Sequence, residues 1–295
     1  MNLSAASITL GIANFRAQTL STLLSSDKDD SSFLSIFESQ LQGMDSSAND
    51  LLASLTSAAG VKDVAATGRN MALFDPESAY RMMTEINRRD VYYKAQFSEL
   101  SQMATRLTEM EDVSLGLGRI SSSTSDDTIR ADLQHFVAQY NNWIQQADDD
   151  LREGGLLADT RAAQISQYEL QQSVKYRFNG ASHGVYGLGE LGITIDANTR
   201  LATLDAAKLD SVLASNKIGV VATVQQFSAN FAKSADLLNA QDNFMPRQLD
   251  NLDRVIDYIT EHRADLQAEF GTGDSTQPTG KIAQALVAYN QNYAT

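Results

Sequence analysis

Along two stretches of this chain apolar residues recur at alternating intervals of four and three, the spacing that lays a single stripe along a helix. The first stripe is Met83, Ile86, Asp90, Tyr93, Phe97, Leu100 and Ala104; the second is Leu249, Leu252, Ile256, Ile259, Arg263, Leu266 and Phe270. Each has one charged interruption, Asp90 in the first and Arg263 in the second. Laid antiparallel, Met83 faces Phe270, Ile86 faces Leu266, Tyr93 faces Ile259, Phe97 faces Ile256, Leu100 faces Leu252 and Ala104 faces Leu249. In that register Asp90 meets Arg263. A parallel register leaves each charge against an apolar neighbour, which costs free energy unless the charge is paired. The pattern therefore predicts an antiparallel coiled coil that joins the two ends of one chain.

The segments around these stripes set the expected organisation. Residues 1–72 are rich in Ser and Ala and read as a mobile leader. Asp75-Pro76-Glu77 offers a cap, a first-turn proline and an acid at the positive end of a helix dipole, so the N-terminal coil helix is expected within 73–112. Gly116, Gly118 and the Ser/Thr run behind them make 113–126 a linker. A helical core domain is expected over 127–245. In it a helix spans about 127–149 and closes at Gly154-Gly155; a second, capped by Asp159, runs over about 160–178; and a glycine-rich loop covers 180–190.

Alternating residues on both sides of Ala197-Asn198-Thr199 predict a hairpin at about 192–205. Asp205 then caps a helix through Leu213, and another spans about 218–238. The C-terminal coil helix is expected over 246–271, stopped by Gly271, with a flexible tail and a short helix in 272–295. The predicted fold class is mainly α: an antiparallel N/C-terminal coiled coil plus a small helical domain carrying one β-hairpin.

Composition removes several classes of function. A formal net charge of −14 disfavours nucleic-acid binding, which needs clustered Lys and Arg, and disfavours anionic lipid. No run reaches the roughly 18 to 20 apolar residues of a spanning helix, so no membrane insertion is expected. The first 24 residues lack a basic start and a continuous apolar centre, and a cleaved signal peptide is not expected there. With no cysteine there is no disulfide, thiolate site or cysteine nucleophile.

The remaining chemistry is sparse. His135, His183 and His262 lack the paired spacing of a zinc helix, and Ser182-His183 has no nucleophile-elbow context. Counted from Asp196, a calcium loop would need glycine where Leu201 stands and glutamate where Ala207 stands; the acids Asp148 to Asp150 read as a solvated helix end. Gly187 to Gly192 has the spacing of a dinucleotide loop but precedes a strand instead of opening a helix. No catalytic, cofactor-binding or metal residue is expected, and the chain reads as a non-enzyme.

One segment carries a resemblance. Leu191-Gly192-Ile193-Thr194-Ile195-Asp196, then Leu201 to Asp205 with Leu204, then Lys208-Leu209-Asp210 through Asn216 is similar to the C-terminal domain of the bacterial flagellar filament cap family, hook-associated protein 2. Phe136 to Asn141 and Gly155 to Leu170 resemble the family's neighbouring helices, so the likeness spans about residues 130–240. The β-rich plate domains that such caps insert after the first coil are missing; only a short linker stands there. The resemblance implies the core and coiled-coil leg of an exported, oligomeric cap-like or axial protein of the extracellular flagellum. Its implied partners are copies of itself and axial proteins such as flagellin or hook-junction proteins, reached by type III export. The alternative is a cytosolic helical adaptor or export partner of flagellar proteins. Contacts between subunits are expected on the outer faces of the leg, the leader and the last fifteen residues.

Overall fold

A computed structural model describes residues 64–177 and 183–293, so the leader up to residue 63, part of the glycine-rich loop and the last two residues lie outside the described residues. The fold is mainly α. Its helices are α1 (Pro76–Leu117), α2 (Asp126–Leu151), α3 (Arg161–Lys175), α4 (Ala206–Asn239), α5 (Phe244–Glu261), α6 (Arg263–Phe270) and α7 (Gly280–Asn292). A 3-10 turn at Leu188–Leu191 leads into the hairpin β1 (Ile193–Ile195) and β2 (Ala202–Leu204). The described residues divide into two compact units, one made of those up to Ala95 together with those from Asn251 onward, the other of Gln96–Asp250. The division falls inside α1 and α5.

The second unit has an aromatic centre. Helix α2 buries Ile129, Leu133, Phe136, Val137, Tyr140, Trp143 and Ile144, the apolar positions at helical spacing. The Phe136 ring lies edge-on to Phe227 and Phe231 of α4, with centroids 5.1 and 5.4 Å away. Burial holds the Tyr140 hydroxyl well above its ordinary range. The C-terminal half of α1 belongs here as well. The Gln96 amide donates to Leu156 O and Thr160 Oγ1, and the Ser114 and Ser228 hydroxyls each donate to the other's carbonyl, at 3.1 and 2.6 Å. These bonds draw Gln96–Leu117 into the compact unit, which the sequence reading begins only at 127.

Several helix ends differ from expectation for local reasons. Helix α1 runs on to Leu117 through Gly116, so the connection to α2 is only 118–125, with Ser125 Oγ accepting from Thr128 N as the cap. Thr160, not Asp159, is the N-cap of α3, and its hydroxyl accepts from Gln96 instead of capping. Within the α4 range the two helices expected on either side of residue 216 are both present, separated by a kink where Asn216 leaves helical geometry (φ −153°, ψ 60°). There Asn216 Oδ1 accepts from Gly219 N and Nδ2 donates to His183 O, a cap within the kink.

The expected C-terminal coil helix is two helices, because His262 leaves helical geometry (φ −98°, ψ 11°) between α5 and α6. Its ring stacks on Tyr258 at 4.2 Å. At the far end Gly271 takes φ +89°, and a Cβ there would come within 2.4 Å of Gly68 O. That close approach brings residues 64–72 into the fold: Val64 bridges Asn70, and Gly68 O accepts from Thr272 N.

Candidate functional site

In the first unit the sequence stripes meet antiparallel. Met83 and Phe270 share one buried cluster with Ala79 and Met82, and Ile86, Leu266 and Leu73 pack against it. One turn further along, Arg263 Nη2 donates to Asp90 Oδ2 at 2.5 Å. Asp90 is 5% exposed, and Lys94 Nζ reaches its other oxygen at 2.9 Å. The buried carboxylate thus has two cations, one from its own helix and one from α6, which is what makes its burial tolerable. Tyr93 and Ile259 are buried in the same unit. Burial, with Asp253, Asp257 and Asp90 nearby, pushes the Tyr289 hydroxyl upward, which places α7 against this region.

The other stripe positions distribute between the units. Leu252 and Ile256 are buried residues of the first unit; Leu100 is buried and Phe97 half-buried in the second. Ala104 and Leu249, both in the second, line a common cleft.

A polar clasp closes the outer end of the helix pair, and the heptad pattern gives no sign of it. Asn70 is 2% exposed; its Nδ2 donates to the carbonyls of Ala268 and Glu269 and its Oδ1 accepts from Ala72 N. These bonds occupy the last carbonyls of α6, which would otherwise lack partners. Beyond Gly271 the chain lies back along α1: Asn87 Nδ2 donates to Thr272 O and Asp274 O, and Asp274 N donates to Thr84 Oγ1. Tyr80 donates to Asp274 Oδ1 at 2.6 Å, and the Arg69 guanidinium lies over the Tyr80 ring while pairing with Glu77. The only sequence sign of this clasp is the glycine pair Gly271 and Gly273 around a polar residue, both at positive φ.

In the second unit the residues that carry the family-like motif converge. The strands pair Ile193 with Leu204 and Ile195 with Ala202. Asp196 Oδ1 accepts from Thr199 N, Asn198 N and Thr199 Oγ1, and these bonds hold its carboxyl below the usual range. Gly192 has φ +93°, with space for a Cβ denied by Asp205 O at 2.7 Å. Asp205 N donates to Gly192 O, Asp205 Oδ1 caps α4 through Lys208 N, and Lys208 Nζ returns to Gly189 O. Leu191 and Leu209 are fully buried beneath this loop.

Asn141 of α2 completes the arrangement, its amide exchanging two hydrogen bonds with the backbone of Ala202. A side chain thereby takes the place of a neighbouring strand on the open edge of β2. Asp148 adds an ion pair with Arg200, and Gln167 bridges the two.

What this arrangement offers chemically is rigidity and surface. Among the described residues no group of His, Asp and Glu is placed to hold a metal ion, and no helix is long and apolar enough to cross a membrane. Over residues 117–279, more than half of the chain, the sequence matches the family described as flagellar hook-associated protein 2 C-terminus. No curated protein and no solved structure matches.

Proposed function

The chain belongs to the flagellar hook-associated protein 2 family, whose members are structural proteins of the flagellum, and from that premise we propose that it is an exported cap-like or axial component that works by self-association and docking to filament or hook subunits. The observation that carries this reading is the match over residues 117–279, which takes in the hairpin, its Asn141 brace and the helices α2 to α6.

The direct step from Leu117 to Asp126 leaves a leg and a core, without plate domains between them. In this reading the α1 and α6 pairing is the inward seam of the leg, closed within the chain. Self-association and docking then fall to outward surfaces, among them α7, where Val287 and Tyr293 remain 55% and 44% exposed.

The test is sedimentation of the purified chain alone and with sheared hook–filament preparations. The expected result is a species heavier than the monomer, and a further fraction that pellets with the filaments and hooks. A strict monomer that pellets with neither would overturn the proposal.

A further inference from the structure

Where α1, the end of α4 and the start of α5 meet within the second unit, they enclose a cleft of about 420 Å³. Its floor and walls are apolar at Ala104, Met245, Pro246 and Leu249, with Thr105 and Thr108 at the mouth. Close in sequence to the lining residues Asn239 and Met245, two large apolar side chains are exposed: Leu237 at 48% and Phe244 at 51%. These neighbours are linked, since Asn243, which caps Phe244 N, also donates to Leu237 O. An apolar hollow with exposed aromatic and aliphatic neighbours is the shape that receives an anchor side chain of a partner helix.

The charge around the cleft selects the partner. One turn beyond Thr108 on α1 stand Glu111 and Asp112, and one turn before Asn239 on α4 stands Asp236. Burial, together with the negative Asp236 and Asp112, holds the Glu111 carboxyl above the usual range, so these acids crowd one another. Asp242 and Asp250 add further negative charge beside α5, against Arg106, Lys233 and Arg247 in the same segments. Asn239 lies in the cleft wall with its Nδ2 committed to Ala104 O and Thr108 Oγ1, and its buried Oδ1 has no donor. The site thus combines an apolar hollow with an excess of carboxylates: Glu111, Asp112, Asp236, Asp242 and Asp250 against Arg106, Lys233 and Arg247.

We infer that this cleft is a docking site for a basic amphipathic helix of another protein, which seats an apolar side chain between Thr105 and Leu249 and sets Lys or Arg against Glu111, Asp112 and Asp236. The site stands apart from the flagellar reading, because it rests on geometry and charge within one unit.

A synthetic amphipathic helix of leucine and lysine, titrated against the full chain, tests it, with the leucine–glutamate counterpart as control. The leucine–lysine peptide is expected to bind and the counterpart not. Thr105→Trp, which fills the hollow without altering charge, and the pair Glu111→Lys with Asp236→Lys should each weaken binding by about tenfold or more at unchanged helical circular dichroism. Reversal at Asp149 and Glu153, which lie at the end of α2 and do not line the cleft, should have a much smaller effect. Equal losses from that pair, or full binding by Thr105→Trp, would overturn the inference. So would self-association of the wild-type chain that Thr105→Trp abolishes, which would assign the cleft to a second copy.

Discussion

Asp90→Lys is expected to destabilise the first unit by about 3–5 kcal/mol, because it places a third cation beside Lys94 and Arg263 and removes the carboxylate that both of them pair with. Arg263→Glu should cost less. The Arg263 side chain is 37% exposed against 7% for Asp90, so a replacement can turn into water, and Lys94 still neutralises Asp90. The double reversal Asp90→Lys with Arg263→Glu should recover at least about 1 kcal/mol relative to the sum of the single changes. Recovery stays incomplete, since Lys94 then sits one turn from a like charge, worth roughly 0.2–0.5 kcal/mol.

Hydrogen exchange at the amides of α1 and α6 reads this region separately from the rest, which matters because a chain of two units need not unfold in one step. Purely additive losses would show that the two charges do not meet in solution.

For the second unit the largest effect is expected from Phe136→Ala. The ring is fully buried and is held edge-on by two phenylalanines of α4, so its loss removes both the transferred area and the ring contacts and leaves a cavity, about 3–5 kcal/mol in all. Phe136→Leu should retain most of that. The chain's one tryptophan, Trp143, lies two turns away on the same helix and is 2% exposed, so its fluorescence during urea unfolding reports this unit directly. A midpoint unchanged by Phe136→Ala would mean that the aromatic cluster does not hold α2 to α4.

How far the sequence reveals this architecture depends on the range of the forces involved. The start of α1 is legible because Asp75, Pro76 and Glu77 act on adjacent backbone groups. The hairpin is legible because Asp196 captures two amides within its own turn. The meeting of Asp90 with Arg263 is legible for a different reason: each stripe has a single polar position, so one register satisfies both.

Other features leave no such local trace. Neither glycine nor proline marks the break at His262, and the sequence around it reads as unbroken helix. Asn70, Gln96 and Asn141 look like ordinary surface polar residues. They act by pairing with backbone groups 198, 60 and 61 positions away, and no periodicity encodes that. The clasp also shows why residues 64–72 belong with the helix pair despite a leader-like composition: the carbonyls at the end of α6 need donors, and Asn70 supplies them.

The most direct test of the central claim is where the protein resides when flagella are built. Cells with a working flagellar export system are sheared, the appendages are collected, and the chain is traced by immunoblot beside cells whose export is blocked. The account predicts the chain in the sheared appendage fraction of the first and only in the cell bodies of the second. Retention in the cell bodies of both would contradict it and leave a cytosolic partner of flagellar proteins in its place.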